Sequence, residues 1–188
     1  MNMRRLTFTL ILSFLITAIS FSQREETVFG SSGIDFTGVW GGSTNGLVEF
    51  NNNFSLSNSG YFLFEINNDF LIGWSGYGSG STMANGDKAE IGGNDLVLGY
   101  AFGSNKVIHP IIYAKGGQGS LKINEEKVDK VTVFEPSVGV EVNILRWFRV
   151  GLEGGYRFVT SVDAAGLDDN DFSSPVVGLR FKFGWSWD

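Results

Sequence analysis

An eight-stranded, antiparallel, up-and-down β-barrel is the fold class predicted by this 188-residue sequence. Three observations predict it: hydrophobicity alternates with period two almost to the last residue, connectors alternate between short and long, and no segment carries a convincing helical period. Composition agrees. There are 26 glycines and 14% aromatic side chains, but only 18% charged residues, against ~25% in an ordinary soluble domain. Glycine-rich linkers are aromatic-poor, so both excesses call for a folded architecture. With no cysteine and one histidine, disulfide scaffolds, thiolate zinc sites, thiol nucleophiles and multi-histidine metal centres are excluded.

The N-terminus is read first. Arg4 and Arg5 precede an apolar run from Leu6 to Ile19, and Ser20 and Ser22 stand at −3 and −1 of a cut before Gln23. This three-part layout is that of a secretory signal peptide over 1–22, and its apolar run is short for a membrane-spanning helix. A short lead-in over 23–34 follows, and 35–188 is the barrel. Losing Arg4 and Arg5 leaves 12 bases against 20 acids, a formal charge of −8. An acidic chain with no basic stripe is a poor nucleic-acid binder.

The strands are clearest at the C-terminus. Val177, Leu179, Phe181, Phe183, Trp185 and Trp187 alternate with Gly178, Arg180, Lys182, Gly184 and Ser186. Upstream, Phe148 to Phe158 alternates with Arg149, Gly151, Glu153, Gly155 and Arg157, and Phe134 to Val142 alternates with Glu135, Ser137, Gly139 and Glu141. Each is a strand with one apolar face and one face of glycine and charge. Less polar alternation marks segments at 59–66, 69–79, 89–102 and 107–120, and Phe36, Gly38 and Trp40 begin a first strand over 35–44. The last three strands are placed at 130–142, 147–161 and 173–187.

The connectors carry the topology. Asn67-Asn68, Gly103 to Lys106 and Asn143 to Arg146 read as short turns, and asparagine and glycine tolerate their positive φ. Asn45 to Asn58, Gly80 to Lys88, Leu121 to Asp129 and Val162 to Phe172 read as long polar loops. Eight antiparallel strands put all short turns at one end with both termini, and all long loops at the other. Transmembrane barrels share that asymmetry. About 20 residues per strand-plus-connector leaves room for the ~9–11 that a spanning strand needs.

Alternation alone fits an apolar inside or an apolar outside. Gly38-Val39-Trp40 matches the G-x-W of the first lipocalin strand, so a soluble barrel around a hydrophobic ligand is the competing fold. Three features favour an apolar outside. The polar face is largely glycine, which suits a crowded narrow lumen better than a hydrated wall. Its charges come in both signs, and a turn near Leu145 would make Glu141 and Arg149 direct cross-strand neighbours. Aromatics gather near strand ends, as in interfacial girdles. Glu135, Glu141, Arg149, Glu153, Arg157, Arg180 and Lys182 are thus the expected lumen charges. Leu179, Phe181, Phe183, Trp185 and Trp187 form the expected lipid-facing side of the last strand.

The runs Val138-Gly139-Val140-Glu141, Gly154-Gly155-Tyr156-Arg157-Phe158 and Val177 to Phe183 resemble the final strands of small Gram-negative outer-membrane barrels. That superfamily includes the transmembrane domain of outer membrane protein A and outer membrane protein X. Gly60-Tyr61-Phe62 followed by Phe70-Leu71-Ile72-Gly73 is similar to its early hairpins. The resemblance spans roughly 35–187. It implies an outer-membrane location, a last strand read by the barrel assembly machinery, and contact with outer-membrane lipid and lipopolysaccharide. Asp188 departs from the family's usual aromatic ending. The motifs specify an architecture, and a non-enzymatic structural, adhesive or interaction role through extracellular loops is the expectation drawn from it.

The remaining candidates are few. An eight-stranded interior is filled by its own side chains, so the lumen charges read as a salt-bridged plug; a minor path past Glu135, Arg157 and Arg180 is the alternative. His109 falls on the inner face, which suits a lumen residue better than the base of a lipid-modifying enzyme. The acidic run Asp168-Asp169-Asn170-Asp171, with Asp163 nearby, reads as a solvated loop and does not match the calcium-loop spacing. Gly116-Gly117-Gln118-Gly119 lacks the helix and Lys-Ser/Thr of a phosphate loop. No cofactor is expected.

Overall fold

The computed structural model describes residues 33–50, 53–83, 86–164 and 167–187. The expected signal segment 1–22 and nearly all of the lead-in lie outside the described residues. Eight strands follow one another: β1 (Phe36–Phe50), β2 (Asn53–Ile66), β3 (Phe70–Thr82), β4 (Lys88–Ala101), β5 (Ile108–Ile123), β6 (Glu126–Leu145), β7 (Phe148–Thr160) and β8 (Ser174–Ser186). Each pairs antiparallel with the next, and β1 pairs with β8 from Gly38↔Ser186 to Val48↔Val176, closing the sheet into a barrel. Closure satisfies every strand edge, which a sheet with an apolar outer face requires. One turn of 3-10 helix, Asp169–Asp171, lies between β7 and β8.

The period-two reading holds around the wall. Val138, Leu152, Trp74 and Trp185 face outward and are exposed, while Lys182 and Glu141 on the alternate phase are fully buried. Phe181 alone of the outward β8 set is half-buried. Trp187 stands just past β8, where its backbone N–H donates to Thr37 O (2.7 Å) and its indole N–H to Phe36 O (3.0 Å).

Two expectations are corrected. The first concerns the loops. The stretches 45–58 and 121–129 are mostly paired strand: Asn45 faces Asn58, Leu47 faces Leu56, and Leu121 faces Asp129. The connectors at that end shrink to 51–52, 83–87 and 124–125, and only 161–173 remains long. Asn124 and Glu125 take positive φ (48° and 71°), giving a two-residue hairpin turn. A ladder's hydrogen bonds are made by backbone and need no apolar side chain. Polarity there marks a change in the wall's surroundings, not the end of a strand.

The second concerns β1. Phe36, Gly38 and Trp40 share sequence parity, yet Phe36 faces out and Trp40 is fully buried. Pairing shifts between Phe36↔Ile66 and Gly38↔Glu65. This bulge turns both Thr37 and Gly38 inward and moves every later residue of β1 to the opposite face.

Glycine lets neighbouring strands approach. A Cβ on Gly184 of β8 would overlap the Val39 carbonyl oxygen and lie 2.9 Å from Trp40 Cα on β1. Gly184→Ala is therefore expected to cost about 1–3 kcal/mol of folding free energy, read from the urea midpoint. Gly154, whose Cβ would meet only Val176 O at 3.9 Å, is the matched control, and its alanine variant is expected within about 0.5 kcal/mol of the parent.

Candidate functional site

The interior is layered. Nearest the termini, Glu141 of β6 gathers three basic side chains from three other strands. Its Oε1 lies 2.6 Å from Lys182 Nζ (β8), 3.3 Å from His109 Nε2 (β5) and 3.6 Å from Arg149 Nη1 (β7). Glu65 of β2 sits beside this group. It accepts the Trp40 indole N–H (2.8 Å), the Ser186 hydroxyl (2.6 Å) and the Thr37 hydroxyl (3.3 Å), with Arg149 at 3.8 Å. The Arg149 guanidinium lies 3.9 Å over the Trp40 ring, so the buried indole supplies a cation–π face as well as a donor.

A second network lies higher. Lys115 Nζ bridges Glu135 (2.6 Å) and Glu153 (3.3 Å). Arg157 donates to Glu135 (2.8 Å) and also to Ser79 and Ser57. Arg180 pairs with Glu153 (2.5 Å) and lies 3.9 Å from the Tyr113 ring and 4.7 Å from that of Tyr61. The Tyr61 hydroxyl donates to Phe181 O (2.8 Å). Buried charges survive only when paired and hydrogen-bonded, and the sheet positions these by placing acids and bases on the inner faces of the neighbouring strands β5 to β8. Beside Lys115, Glu135, Glu153 and Arg157 lies a cavity of about 10 Å³, room for about one water.

Above both networks the interior turns apolar. Val48, Ile91, Leu121, Val131, Val133, Val159 and Val176 form a cluster closed by Phe172, which the β7–β8 loop brings in and buries.

All seven charges named from the sequence lie in these two networks. Glu141 and Arg149 do come together, though not as direct neighbours: the turn falls at 146–147 and not at Leu145, so Glu141 pairs with Gly151 and Asn143 with Arg149. Sequence reasoning left out Glu65, Asp95 and Lys115, and the ring partners Trp40, Tyr61, Tyr77 and Tyr113. The available signal was a lone charge on one phase of a strand, as with Glu65 and Lys115. The separation of aromatics to the outside and charges to the inside is therefore incomplete, because buried rings flank the guanidiniums.

The other candidates find plain roles. His109 Nδ1 faces Lys106 O (3.1 Å), so both ring nitrogens are engaged inside the wall. The acidic run ties the β7–β8 loop: Asp168 accepts from Asn170 N (2.8 Å), Asp171 from Asp168 N (2.9 Å) and Asp169 from Val162 N (2.9 Å). That is a capping arrangement around the 3-10 turn. Gly116 to Gly119 lie within β5. Among the described residues no group of His, Cys, Asp and Glu forms a metal centre.

No family model and no curated protein matches the chain. Solved structures do. Neisserial surface protein A superposes with a TM-score of 0.60 at 10% identity, over 83% of this chain and 100% of that one. The N-terminal β-barrel domain of Pseudomonas aeruginosa OprF gives 0.56 at 12% identity, over 80% and 98%. This is the fold of the small outer-membrane β-barrels. A third such barrel, the outer membrane protein OprG of Pseudomonas aeruginosa, gives 0.53 at 8% identity, over 80% and 96%. The likeness is one of fold, and it agrees with the resemblance to outer membrane proteins A and X.

Proposed function

We infer that the chain is an outer-membrane barrel, exported by segment 1–22, without enzymatic activity and with its lumen plugged by ion-paired side chains. Its role is structural, adhesive or interactive, exercised through the end of the barrel opposite the termini. The observation that carries this reading is the inversion of the wall: large apolar side chains face outward on every strand, while lysines, arginines and glutamates are buried inside. In water that arrangement exposes the surface the hydrophobic effect penalises most. In a bilayer the same outer face is solvated by lipid. Outer-membrane lipid and lipopolysaccharide are then the surroundings of the wall, and β8 is the strand offered to the assembly machinery. Because three of the four connectors at the far end are only two to five residues long, interaction falls to the extended strands and the β7–β8 loop.

The alternatives are less well served. A lipocalin-like ligand would meet a charged interior with a cavity of about 10 Å³, far below the ~300 Å³ at which ligand pockets begin. A lipid-modifying enzyme would need His109 on the outer face, and it is fully buried.

Cell fractionation with heat-shift electrophoresis is the test. The protein is expected in the outer-membrane fraction, with unboiled and boiled samples migrating differently. A soluble protein whose mobility ignores boiling would overturn the location. In planar bilayers the plugged lumen is expected to give no large, stable conductance steps.

A further inference from the structure

Asp95 of β4 is the one interior carboxylate that joins no ion pair among the described residues, although it is 6% exposed. Its Oδ1 has no hydrogen-bond partner, and neither does the hydroxyl of Tyr77 on β3 or of Thr44 on β1. All three residues are at least nine-tenths buried and line the cavity beside the Lys115, Glu135, Glu153 and Arg157 network. Such groups carry a full desolvation cost unless something supplies the missing contacts.

The wall is shaped to leave that space. Gly117 and Gly119 of β5 stand against the two side chains. A Cβ on Gly117 would lie 2.8 Å from Asp95 Oδ1, and one on Gly119 would lie 2.5 Å from the Tyr77 hydroxyl oxygen. The glycine run of β5, which forms no phosphate loop, clears room for a carboxylate and a phenol inside the barrel.

We propose that this cavity is a site for one small monovalent cation of sodium's size, with Asp95 Oδ1 as its charged ligand and the Tyr77 and Thr44 hydroxyls as neutral ones. The donors are all hard oxygens, which suit hard cations. Charge points the same way. The lining holds three carboxylates, Asp95, Glu135 and Glu153, against two cations, Lys115 and Arg157. Those two are committed: Lys115 to Glu135 and Glu153, Arg157 to Glu135 and two serines. Arg180 does not line the cavity; it is held by Glu153 and the rings of Tyr113 and Tyr61. Ligand number argues against the divalent ions. Calcium takes about 6–8 oxygens, and magnesium keeps several waters, whereas the cavity of about 10 Å³ has room for about one water-sized particle.

The test uses the full chain folded in detergent micelles, with thermal unfolding followed by the heat-shifted band. Sodium chloride is exchanged for choline chloride at constant ionic strength, since choline is too large to enter. The parent midpoint is expected to rise saturably with sodium by about 2–4 °C and to ignore choline. Asp95→Asn is expected to fold, show the shifted band and lose the sodium response. Tyr77→Phe, which keeps the ring and removes the free oxygen, is expected to need more sodium for half of a smaller rise. It carries the test if Asp95→Asn fails to fold. A parent midpoint that responds equally to both salts, or to neither, overturns the site, as does a response retained in Asp95→Asn. Because the readout is made in micelles, its failure is distinct from failure of the outer-membrane location, which fractionation reads.

Discussion

Replacing Glu141 by glutamine is expected to lower the unfolding free energy of the barrel by about 3–5 kcal/mol, the range for breaking a buried ion pair from one side. The argument is one of stranded charge. Glu141 is fully buried and faces Lys182, His109 and Arg149 from three other strands. Among the described residues it is the only acid paired with Lys182, which is itself fully buried. Arg149 retains Glu65 at 3.8 Å, so the lysine bears most of the loss. Glutamine keeps the volume and a carbonyl acceptor, which separates charge from packing. Urea unfolding of the detergent-folded barrel, followed by the heat-shifted band, measures the change. Adding Lys182→Met to Glu141→Gln is expected to recover about half or more of it, since an apolar pair replaces a buried charged one at little net cost. A single variant within about 0.5 kcal/mol of the parent, the level of an ordinary surface change, would sink the idea that this cluster holds the strands in register.

How much of this cluster could be read from the sequence depends on what fixes each part. Parity alone places Glu141, Arg149 and Lys182 on inner faces, because β6, β7 and β8 alternate strictly and a strand has only two sides. Parity does not say which residues meet across the lumen. That depends on register, and register is altered by single bulges. One lies between Asn143 and Leu145 and, with the turn at 146–147 and not at Leu145, leaves Asn143 opposite Arg149. Another, just past Phe36, sends Trp40 to the inside beneath Arg149. Neither bulge has a signature in the surrounding residues. The hairpins fail to show for a different reason. The Asn45–Asn58 and Leu121–Asp129 stretches look like loops because their side chains are polar, yet the paired backbone is indifferent to that. Glu65 and Lys115 were legible as solitary charges on β2 and β5. Their partners were not, since Glu135 and Glu153 reach Lys115 from elsewhere in the chain.

Phe172→Ala is the second substitution with a large expected effect, and the one that joins stability to the state of the lumen. Phe172 lies on the β7–β8 loop with 1% of its surface exposed, packed with Val48, Ile91, Leu121, Val131, Val133, Val159 and Val176. These aliphatic side chains come from the inner faces of β1, β4, β5, β6, β7 and β8, so the ring closes the far end of the barrel over the ionic networks. Truncating a buried phenylalanine costs about 3–5 kcal/mol, part lost transfer energy and part cavity. The loop that delivers it is tied by carboxylates, with Asp169 of the loop accepting from Val162 N and Asp129 of β6 from Asp163 N. Those ties are expected to hold the loop in place after truncation, leaving a hole rather than a collapse. Two measurements follow. The urea midpoint is expected to fall in proportion to the lost free energy. Conductance in planar bilayers is expected to stay small, because Lys115, Glu135, Glu153 and Arg157 still fill the barrel below the removed ring. Combining Phe172→Ala with Arg157→Ala removes both the apolar closure and one member of that network. If large, stable steps arise in the single Phe172 variant, the ring and not the ionic network is the barrier. If they arise only in the double variant, the ion pairs block the lumen on their own.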